Sequence, residues 1–200
     1  MGCATSTPTT TTASVANNEL ESSKIKYPIV GSKDIMRRKG HGTSKTPVQF
    51  DLRWDCERKE ADKICNFNRH YAENAGTFHR KYPQFKKEFQ KAKKLGTTMK
   101  FYDSNTGNLL FEAPNIKDGR THDEFWNESQ KHGWPSFRDN EVNWDYMRCL
   151  PNGESVSIDG THLGHNLPDK KGNRYCINLV SVCGRPTTTA ATTATEEEEE

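Results

Sequence analysis

A short alternating segment near the C-terminal end constrains the fold of this chain most strongly. Its sequence is Arg174-Tyr175-Cys176-Ile177-Asn178. Because successive side chains of a β-strand point to opposite faces, the arginine, cysteine and asparagine would share one face and the remaining residues the other. We therefore predict a strand from residue 173 to about 183. A thiol flanked by a guanidinium and an amide suits a cysteine that must ionise, and a half-buried cysteine of an ordinary strand is the alternative.

Two further motifs precede this segment. Gly133-Trp134-Pro135-Ser136-Phe137 comes first, and His162-Leu163-Gly164-His165 follows it. The three motifs in this order resemble the methionine-R-sulfoxide reductase B family, over residues 99–184. The resemblance implies a mainly β fold with two antiparallel sheets. It also implies thiol-dependent reduction of methionine-R-sulfoxide, either free or in oxidised proteins, to methionine.

The resemblance assigns roles to individual residues. The catalytic residues that it implies are Cys176, His162, His165 and Asn178. The substrate-binding residues that it implies are Trp134, Phe137 and Arg174. Trp134 would receive the methyl group of the substrate, and the fixed ring of Pro135 restricts the residue before it. Gly164 predicts a loop that turns sharply and aims both histidine rings into one pocket, although a structural or metal-binding histidine pair is the alternative.

Reduction of a sulfoxide needs a soft nucleophile at sulfur and a proton donor at oxygen, and cysteine with histidine supplies both. A free thiol is mostly protonated at neutral pH. Arg174, on the same predicted strand face, is the nearest candidate by sequence to favour the Cys176 thiolate. The expected product on the protein is a Cys176 sulfenic acid, which a second thiol must reduce.

The other cysteines depart from the family pattern. Many members bind a structural zinc through two Cys-x-x-Cys pairs, whereas residues 103–106 contain no cysteine, so neither zinc nor another bound cofactor is expected. The usual recycling cysteine is also missing, since none lies between Cys65 and Cys149. We expect an external thiol reductant such as thioredoxin, glutaredoxin or glutathione, with Cys56 or Cys65 as the next candidates and Cys149 after them. Cys183 would point to the opposite face of a regular strand, out of reach.

Charge and cysteine content limit the class of protein. The formal net charge is +2 at pH 7, so no overall field favours nucleic acid as a partner. Six cysteines at irregular spacing, without an apolar signal segment, predict reduced thiols in the cytoplasm instead of a disulfide framework. No apolar run in the sequence has the length of a membrane-spanning helix. We expect a monomer.

The N-terminal sequence carries a candidate lipidation signal. Met1-Gly2-Cys3-Ala4-Thr5-Ser6 fits the pattern for myristoylation of Gly2, with Cys3 available for palmitoylation. The alternatives are a chance start to a Ser/Thr-rich tail and an organelle transit peptide. Two lipids would anchor the chain stably to a membrane, whereas one would bind only marginally. Residues 1–48 lack periodic apolar positions and predict a disordered tail, with order beginning near Phe50.

Residues 49–97 predict a helical extension ahead of the main domain. Mixed helical spacings between Leu52 and Ala75 indicate one or two short helices that end at Gly76. A second, amphipathic helix begins at Pro83 and ends before Gly96, and its basic outer face would be solvated or would contact phosphates or an anionic membrane. The absence of a Cys-x-x-Cys motif argues against a zinc site formed by Cys56, Cys65, His70 and His79.

Residues 98–184 predict the reductase-like domain. Two apolar runs around residues 103–108 indicate a hairpin, and Thr121 with Glu124 forms a capping box that opens a helix to about Lys131. Short strands are predicted over residues 144–150 and 154–158. Residues 185–200 end in five glutamates and predict a disordered acidic tail.

A second class of function stays open. The chain could be a non-catalytic module, lipid-anchored through its N-terminus, that uses the same fold as a scaffold or to bind oxidised proteins. The intact set of cysteine, histidine, asparagine and tryptophan residues argues for the enzyme. A metal-binding domain built from cysteine and histidine is a third alternative, and metal analysis of the purified protein would separate it.

Overall fold

The computed structural model of the protein describes Met1, residues 26–70 and residues 72–187. Its strands form two antiparallel sheets, one of two strands and one of five. The prediction of a mainly β fold with two antiparallel sheets is therefore confirmed. Gly2 and Cys3, the candidate lipidation sites, lie outside the described residues.

The two-stranded sheet is the predicted hairpin. Strand β1 spans Met99–Tyr102 and strand β2 spans Leu109–Ala113, and Phe101 lies opposite Phe111. Their buried aromatic rings face the core, while Lys100 and Glu112, which are also cross-strand partners, are exposed. Apolar and polar residues that alternate along these strands therefore alternate between buried and exposed positions, as expected for a sheet with one solvated face.

The five-stranded sheet has the strand order β3, β7, β6, β5, β4. Its strands are β3 Ser136–Phe137, β4 Met147–Cys149, β5 Glu154–Ser157, β6 His162–Asn166 and β7 Tyr175–Ile177. All pairs of neighbours are antiparallel. Strand β7, which carries the cysteine, therefore has a hydrogen-bonded strand on each side.

Four α-helices precede or separate these strands. They are α1 Arg58–Asp62, α2 Thr77–Arg80, α3 Pro83–Leu95 and α4 His122–His132. Helix α3 ends at Gly96 in the left-handed conformation, and α4 begins with the predicted capping box of Thr121 and Glu124. Gly76 was predicted to end a helix, but it precedes α2 instead. Among the described helices, none combines the length and the apolar character needed to cross a membrane.

One core joins the helical segment to the sheets. Phe85 and Phe89 of α3 contact Trp126 of α4, and Phe101 of the hairpin lies within ring-contact distance of Phe85. The same buried cluster continues through Phe137 to the C-terminal strand region. Buried residues of the predicted helical extension, 49–97, and of the predicted reductase-like domain, 98–184, therefore share one core.

Residues 26–48 are folded against this core, which corrects the prediction of a disordered tail up to residue 48. Val30 pairs with Cys149 of β4 in a parallel bridge. Met36 packs in a small buried cluster with Val156. Val48 belongs to the main core. The segment has few apolar residues, but these three serve as separate anchors, so a low apolar content does not prevent its docking.

The strand that carries the cysteine is shorter than predicted. Strand β7 ends at Ile177, and a 3-10 helix over Leu179–Ser181 follows instead of further strand. The change of direction occurs at Asn178, whose side-chain oxygen accepts a hydrogen bond from the backbone N–H of Glu73 at 3.0 Å. A contact with a residue so distant in sequence is not visible in the local alternation pattern.

Candidate functional site

Four side chains form a row across the five-stranded sheet. Cys176 of β7 pairs with Ser136 of β3 on one side and with His165 of β6 on the other, and His165 pairs in turn with Glu154 of β5. Direct partners in an antiparallel sheet point to the same face, with Cβ atoms about 4.5–5.5 Å apart. The fold thus brings the predicted cysteine and one predicted histidine together, and adds a serine and a glutamate that the sequence did not single out.

Cys176 is almost buried, with 8% of its surface exposed. Arg174 donates a hydrogen bond to its sulfur, and the Ser136 hydroxyl lies 3.7 Å from the same atom. Arg174 therefore occupies the position that the sequence predicted for it. Burial nevertheless raises the pKa of the Cys176 thiol, and the hydrogen bond with Ser136 and the charge of Arg174 only partly oppose this. At rest the cysteine is a protonated thiol beside a cation.

The two histidines lie on strand β6 and not on the predicted sharp loop. His162 pairs with Val156 and Gly164 pairs with Ser155, so Leu163 is an additional residue, a β-bulge. Residues three apart on a regular strand point to opposite faces, but the bulge restores a common face. The ring centroids of His162 and His165 are accordingly 5.7 Å apart.

Glu154 orients the deeper histidine. His162 is 1% exposed, and its Nδ1 lies 2.9 Å from Oε1 of Glu154. Arg69 donates to both oxygens of the same carboxylate, with Nε at 3.0 and 3.1 Å. Although burial alone favours the neutral acid, the hydrogen bonds of His162 and Arg69 lower the pKa of Glu154 to about 2. An ionised carboxylate only accepts hydrogen bonds, so we assign the Nδ1 proton to His162.

His165 is the more accessible ring and is half-buried. Burial is the main cause that lowers the pKa of His165, and the proximity of His162 lowers it further. A neutral imidazole at neutral pH follows, which can accept a proton at one nitrogen while it donates from the other. The site therefore combines a thiol that can lose a proton with a neighbouring ring that can take it.

Trp134 and Asn178 are held by one short segment, residues 72–76, which we call the strap. The indole N–H of Trp134 donates to the carbonyl oxygen of Glu73 at 2.9 Å. Asn178 accepts from the N–H of Glu73 at 3.0 Å and donates to the carbonyl of Leu163, also at 3.0 Å. Asn178 is 2% exposed, and both ends of its amide hydrogen-bond to the backbone, so its side chain ties the strap to strand β6. Trp134 is half-buried and keeps an accessible ring surface.

Phe137 does not belong to the site. Its neighbour Ser136 faces Cys176, so Phe137 points to the other side of β3. There it is fully buried and stacks on Phe111 with ring centroids 4.2 Å apart. The prediction that Phe137 binds substrate is wrong, because the alternation of the strand sends adjacent side chains to opposite faces.

The remaining cysteines lie away from Cys176. Cys149 is on β4, three strand positions from β7, which corresponds to about 14 Å at the usual strand spacing. Cys65 and Cys183 are buried around the Leu179–Ser181 turn, where the sulfur of Cys65 lies 3.6 Å from the Ser181 hydroxyl. Burial raises the pKa of Cys65. The described cysteines are all free thiols.

One group of side chains in the described part of the chain has the geometry of a metal site. Ligand atoms of Glu128, His132 and Asp169 lie within 4.8 Å of one another. Both carboxylates, however, are ion-paired with guanidinium groups: Arg138 contacts both acids, and Arg120 contacts Glu128. We assign this group to the ion-pair network beside the site, because the positive charges already occupy the positions that a cation would need.

Sequence reasoning missed Glu154, Arg69, Ser136 and Glu73. Of these four residues, only Glu154 could have been recognised as a site residue from the sequence, because it is a carboxylate in a predicted strand whose other residues are small or apolar. The sequence matches no family model, and no curated protein and no solved structure matches the chain.

Proposed function

We propose that this protein reduces methionine-R-sulfoxide to methionine through a sulfenic acid on Cys176. The observation that carries the proposal is the placement of Cys176 and His165 as direct cross-strand partners, with the His162 and Glu154 pair beside them. A nucleophile next to a histidine, with a second histidine that a carboxylate orients beside them, is an arrangement suited to covalent catalysis. We also propose that the two antiparallel sheets correspond to the fold of the methionine-R-sulfoxide reductase B family.

The first step transfers oxygen from substrate to enzyme. The proton of the Cys176 thiol passes to His165, and the sulfur attacks the sulfoxide sulfur. His165 then returns the proton to the sulfoxide oxygen, which gives an intermediate whose central sulfur carries both the Cys176 sulfur and a hydroxyl group. The hydroxyl group leaves the substrate sulfur and bonds to the Cys176 sulfur, and the bond between the two sulfurs breaks with its electron pair staying on the substrate. The products are the thioether and a Cys176 sulfenic acid, so the atoms balance without a further reactant. This route starts from a neutral thiol and a neutral imidazole, which agrees with the direction of both pKa shifts.

Other residues hold the reacting groups. Arg174 and Ser136 stabilise the thiolate as it forms, since both contact the sulfur. Trp134, fixed by its hydrogen bond to the strap, offers a rigid apolar wall for the methyl group of the substrate. A contact of this kind requires a defined configuration at sulfur, and we propose the R epimer on the resemblance alone.

An external thiol regenerates the enzyme in this proposal. A disulfide requires Cα atoms within about 7 Å, and Cys149 is separated from Cys176 by two intervening strands. A reductant of the thioredoxin, glutaredoxin or glutathione type would attack the sulfenic acid, release water and form a mixed disulfide that a second thiol resolves. Such a reductant, and the irregular cysteine spacing, support a cytoplasmic setting for the reaction.

The burial of Cys176 favours a second candidate function. With 8% exposure and a raised pKa, this cysteine is less open than most reactive thiols. A module that binds oxidised methionine without reducing it would have these properties. Trp134 and His165 would then contact the bound sulfoxide, and Cys176 would have no chemical role.

The test is turnover of R and S methionine-sulfoxide peptides with dithiothreitol. The wild-type protein is expected to reduce the R peptide only. Cys176→Ser should remove all activity, while the matched control Cys149→Ser, also a buried cysteine of the same sheet, should keep it. Equal activity in the wild type and Cys176→Ser would refute the enzyme proposal. Binding of the R peptide without turnover would establish the second candidate.

A further inference from the structure

A second feature of the protein shares no residue with the Cys176 site and does not depend on the proposed reductase activity. It is an open cavity of about 370 Å³ beside helix α3. Four cationic side chains line it, together with the indole of Trp54 and the carboxylate of Glu88: they are Arg53, Lys87, Lys91 and Arg185. We call this cavity the basic cavity.

The acidic groups at the basic cavity are already neutralised. Glu88 accepts hydrogen bonds from Arg53 at 2.5 Å and from the Trp54 indole at 2.7 Å. Arg185 pairs with Asp51 at the surface. Lys87 and Lys91 are exposed, and within the described residues neither has a carboxylate at ion-pair distance. The cavity therefore presents uncompensated positive charge to an incoming ligand.

The floor of the cavity is conformationally strained. Trp54 has φ 61° and Asp55 has φ 58°, in the left-handed region that residues with side chains rarely adopt. The ring of Trp54 is fixed by an edge contact with Phe85 at 4.9 Å and by the guanidinium of Arg53, 4.2 Å above it. Backbone strain of this kind occurs preferentially at ligand sites, where it fixes the geometry of the contacting groups.

An apolar side chain extends the same stripe of α3. Lys87, Lys91 and Leu95 are spaced by four residues and so share one side of the helix. Leu95 is 63% exposed, although it ends a helix whose other apolar residues are buried. Cationic groups followed by an exposed leucine match a membrane surface, where phosphates lie above the acyl region.

The N-terminal sequence points to the same partner. Gly2 and Cys3 fit an acylation signal, and one acyl chain binds membrane only marginally unless a basic surface adds a second contact.

We propose that the basic cavity binds the phosphate of an anionic phospholipid headgroup, with Leu95 inserted beside it, as the second membrane contact of an acylated chain. Lys87 and Lys91 supply the charge, and Arg53 and Trp54 form the rigid floor. The partner of the basic face of α3 in this proposal is a membrane surface rich in anionic lipid.

Vesicle flotation with the unacylated, full-length protein tests the cavity alone. Binding is expected to phosphatidylserine-containing vesicles and not to pure phosphatidylcholine vesicles. Because each basic residue near an anionic surface is worth about fivefold in binding, Lys87→Glu with Lys91→Glu should weaken it by roughly 30-fold or more. The matched control, Lys170→Glu with Lys171→Glu, makes the same charge change at two other exposed lysines and should bind nearly as the wild type does.

Leu95→Ser provides a variant that leaves every charge in place. It should lower binding to anionic vesicles by a smaller factor, with an unchanged circular-dichroism melting curve, since the side chain is exposed. Equal loss in both double variants would mean that only total charge matters and would overturn the proposal. Stabilisation by inorganic phosphate that depends on Lys87 and Lys91, without vesicle binding, would assign the cavity to a soluble anion and also overturn it.

Discussion

Two glutamates are buried to nearly the same extent in this protein but differ in their partners. Glu154 is 2% exposed and Glu73 is 3% exposed. Glu154 receives hydrogen bonds from Arg69 and His162, and its pKa falls to about 2. Burial raises the pKa of Glu73 to about 7, because backbone N–H groups and the charge of Lys81 oppose it only partly and its Oε1 has no hydrogen-bond partner among the described residues. These two acids are equally buried, so their hydrogen-bond partners account for the opposite directions of their pKa shifts.

The thiols near the two glutamates repeat this difference. Cys176, in the row with Glu154, contacts Arg174 and Ser136. Cys56 and Cys183, near Glu73, hydrogen-bond to each other, and burial raises the pKa of Cys56. Both regions contain buried thiols and a carboxylate, but direct hydrogen bonds from guanidinium groups to the thiol and to the carboxylate occur only in the Cys176 region, from Arg174 and Arg69. Chemistry is therefore expected in that region alone, and the following predictions test this contrast.

The largest expected effect is on the proposed reaction. His165→Ala should lower the rate of R-sulfoxide reduction by about two to four powers of ten, because the proton relay is lost. Single-turnover kinetics with a sulfoxide peptide measure this. Tyr82→Phe, which removes a hydroxyl from the Glu73 region, should leave the rate unchanged. A similar loss in both variants would show that the two regions do not differ in function.

Glu154→Gln is expected to lower the free energy of unfolding by on the order of 3 kcal/mol near neutral pH, since a buried ion pair loses one partner. An acid with a lowered pKa contributes stability above its ordinary pKa, and this is lost as the pH falls toward the folded value. The difference between variant and wild type should therefore shrink between about pH 4.5 and pH 2. Urea unfolding at several pH values checks this. A difference that does not change with pH would contradict it.

Glu73→Gln should change the free energy of unfolding in the opposite direction. An acid whose pKa is raised in the folded state lowers the free energy of unfolding once the pH exceeds the ordinary pKa of that acid. This loss of stability is complete above the pKa in the folded state, about 7. The variant should be more stable than the wild type by on the order of 2 kcal/mol near pH 8 and equal to it near pH 4.5. Thermal unfolding at the two pH values measures the difference. Destabilisation at the higher pH would mean that Glu73 has a cationic partner in solution.

The smallest expected effect concerns Tyr82. Its hydroxyl is buried and has no hydrogen-bond partner. Tyr82→Phe should therefore raise the free energy of unfolding by about 1 kcal/mol, because an unsatisfied polar group is removed without loss of packing. The denaturant concentration at the midpoint of unfolding should rise, while the slope of the unfolding free energy against denaturant concentration stays constant. A lower midpoint would show that the hydroxyl does have a partner, such as a buried water.

Local signals in the sequence predicted some elements well. Helix α3 has a proline in its first turn and a glycine after its last residue, and α4 has a capping box. The hairpin follows from two apolar runs around a turn. Each of these signals lies within a few residues of the element that it defines, so no knowledge of the fold is needed to interpret it.

Long-range contacts account for most of the errors. The end of β7 depends on a bond between Asn178 and Glu73, and the anchoring of Glu154 depends on Arg69. The common face of the two histidines depends on a bulge at Leu163, which alternation alone does not reveal. The residue types of the site were predictable from its motifs, whereas the residues that hold them were not, because they come from distant segments.

The bridge between Val30 and Cys149 has a consequence for shortened forms of the protein. The N–H of Gly31 donates to the Cys149 carbonyl and the N–H of Cys149 donates to the Ile29 carbonyl, each at 3.0 Å. This short segment covers the free edge of the five-stranded sheet. A chain that starts at residue 49 would expose that edge, which can then pair with a second copy. Such a chain should self-associate in light-scattering measurements at concentrations where the full-length chain does not.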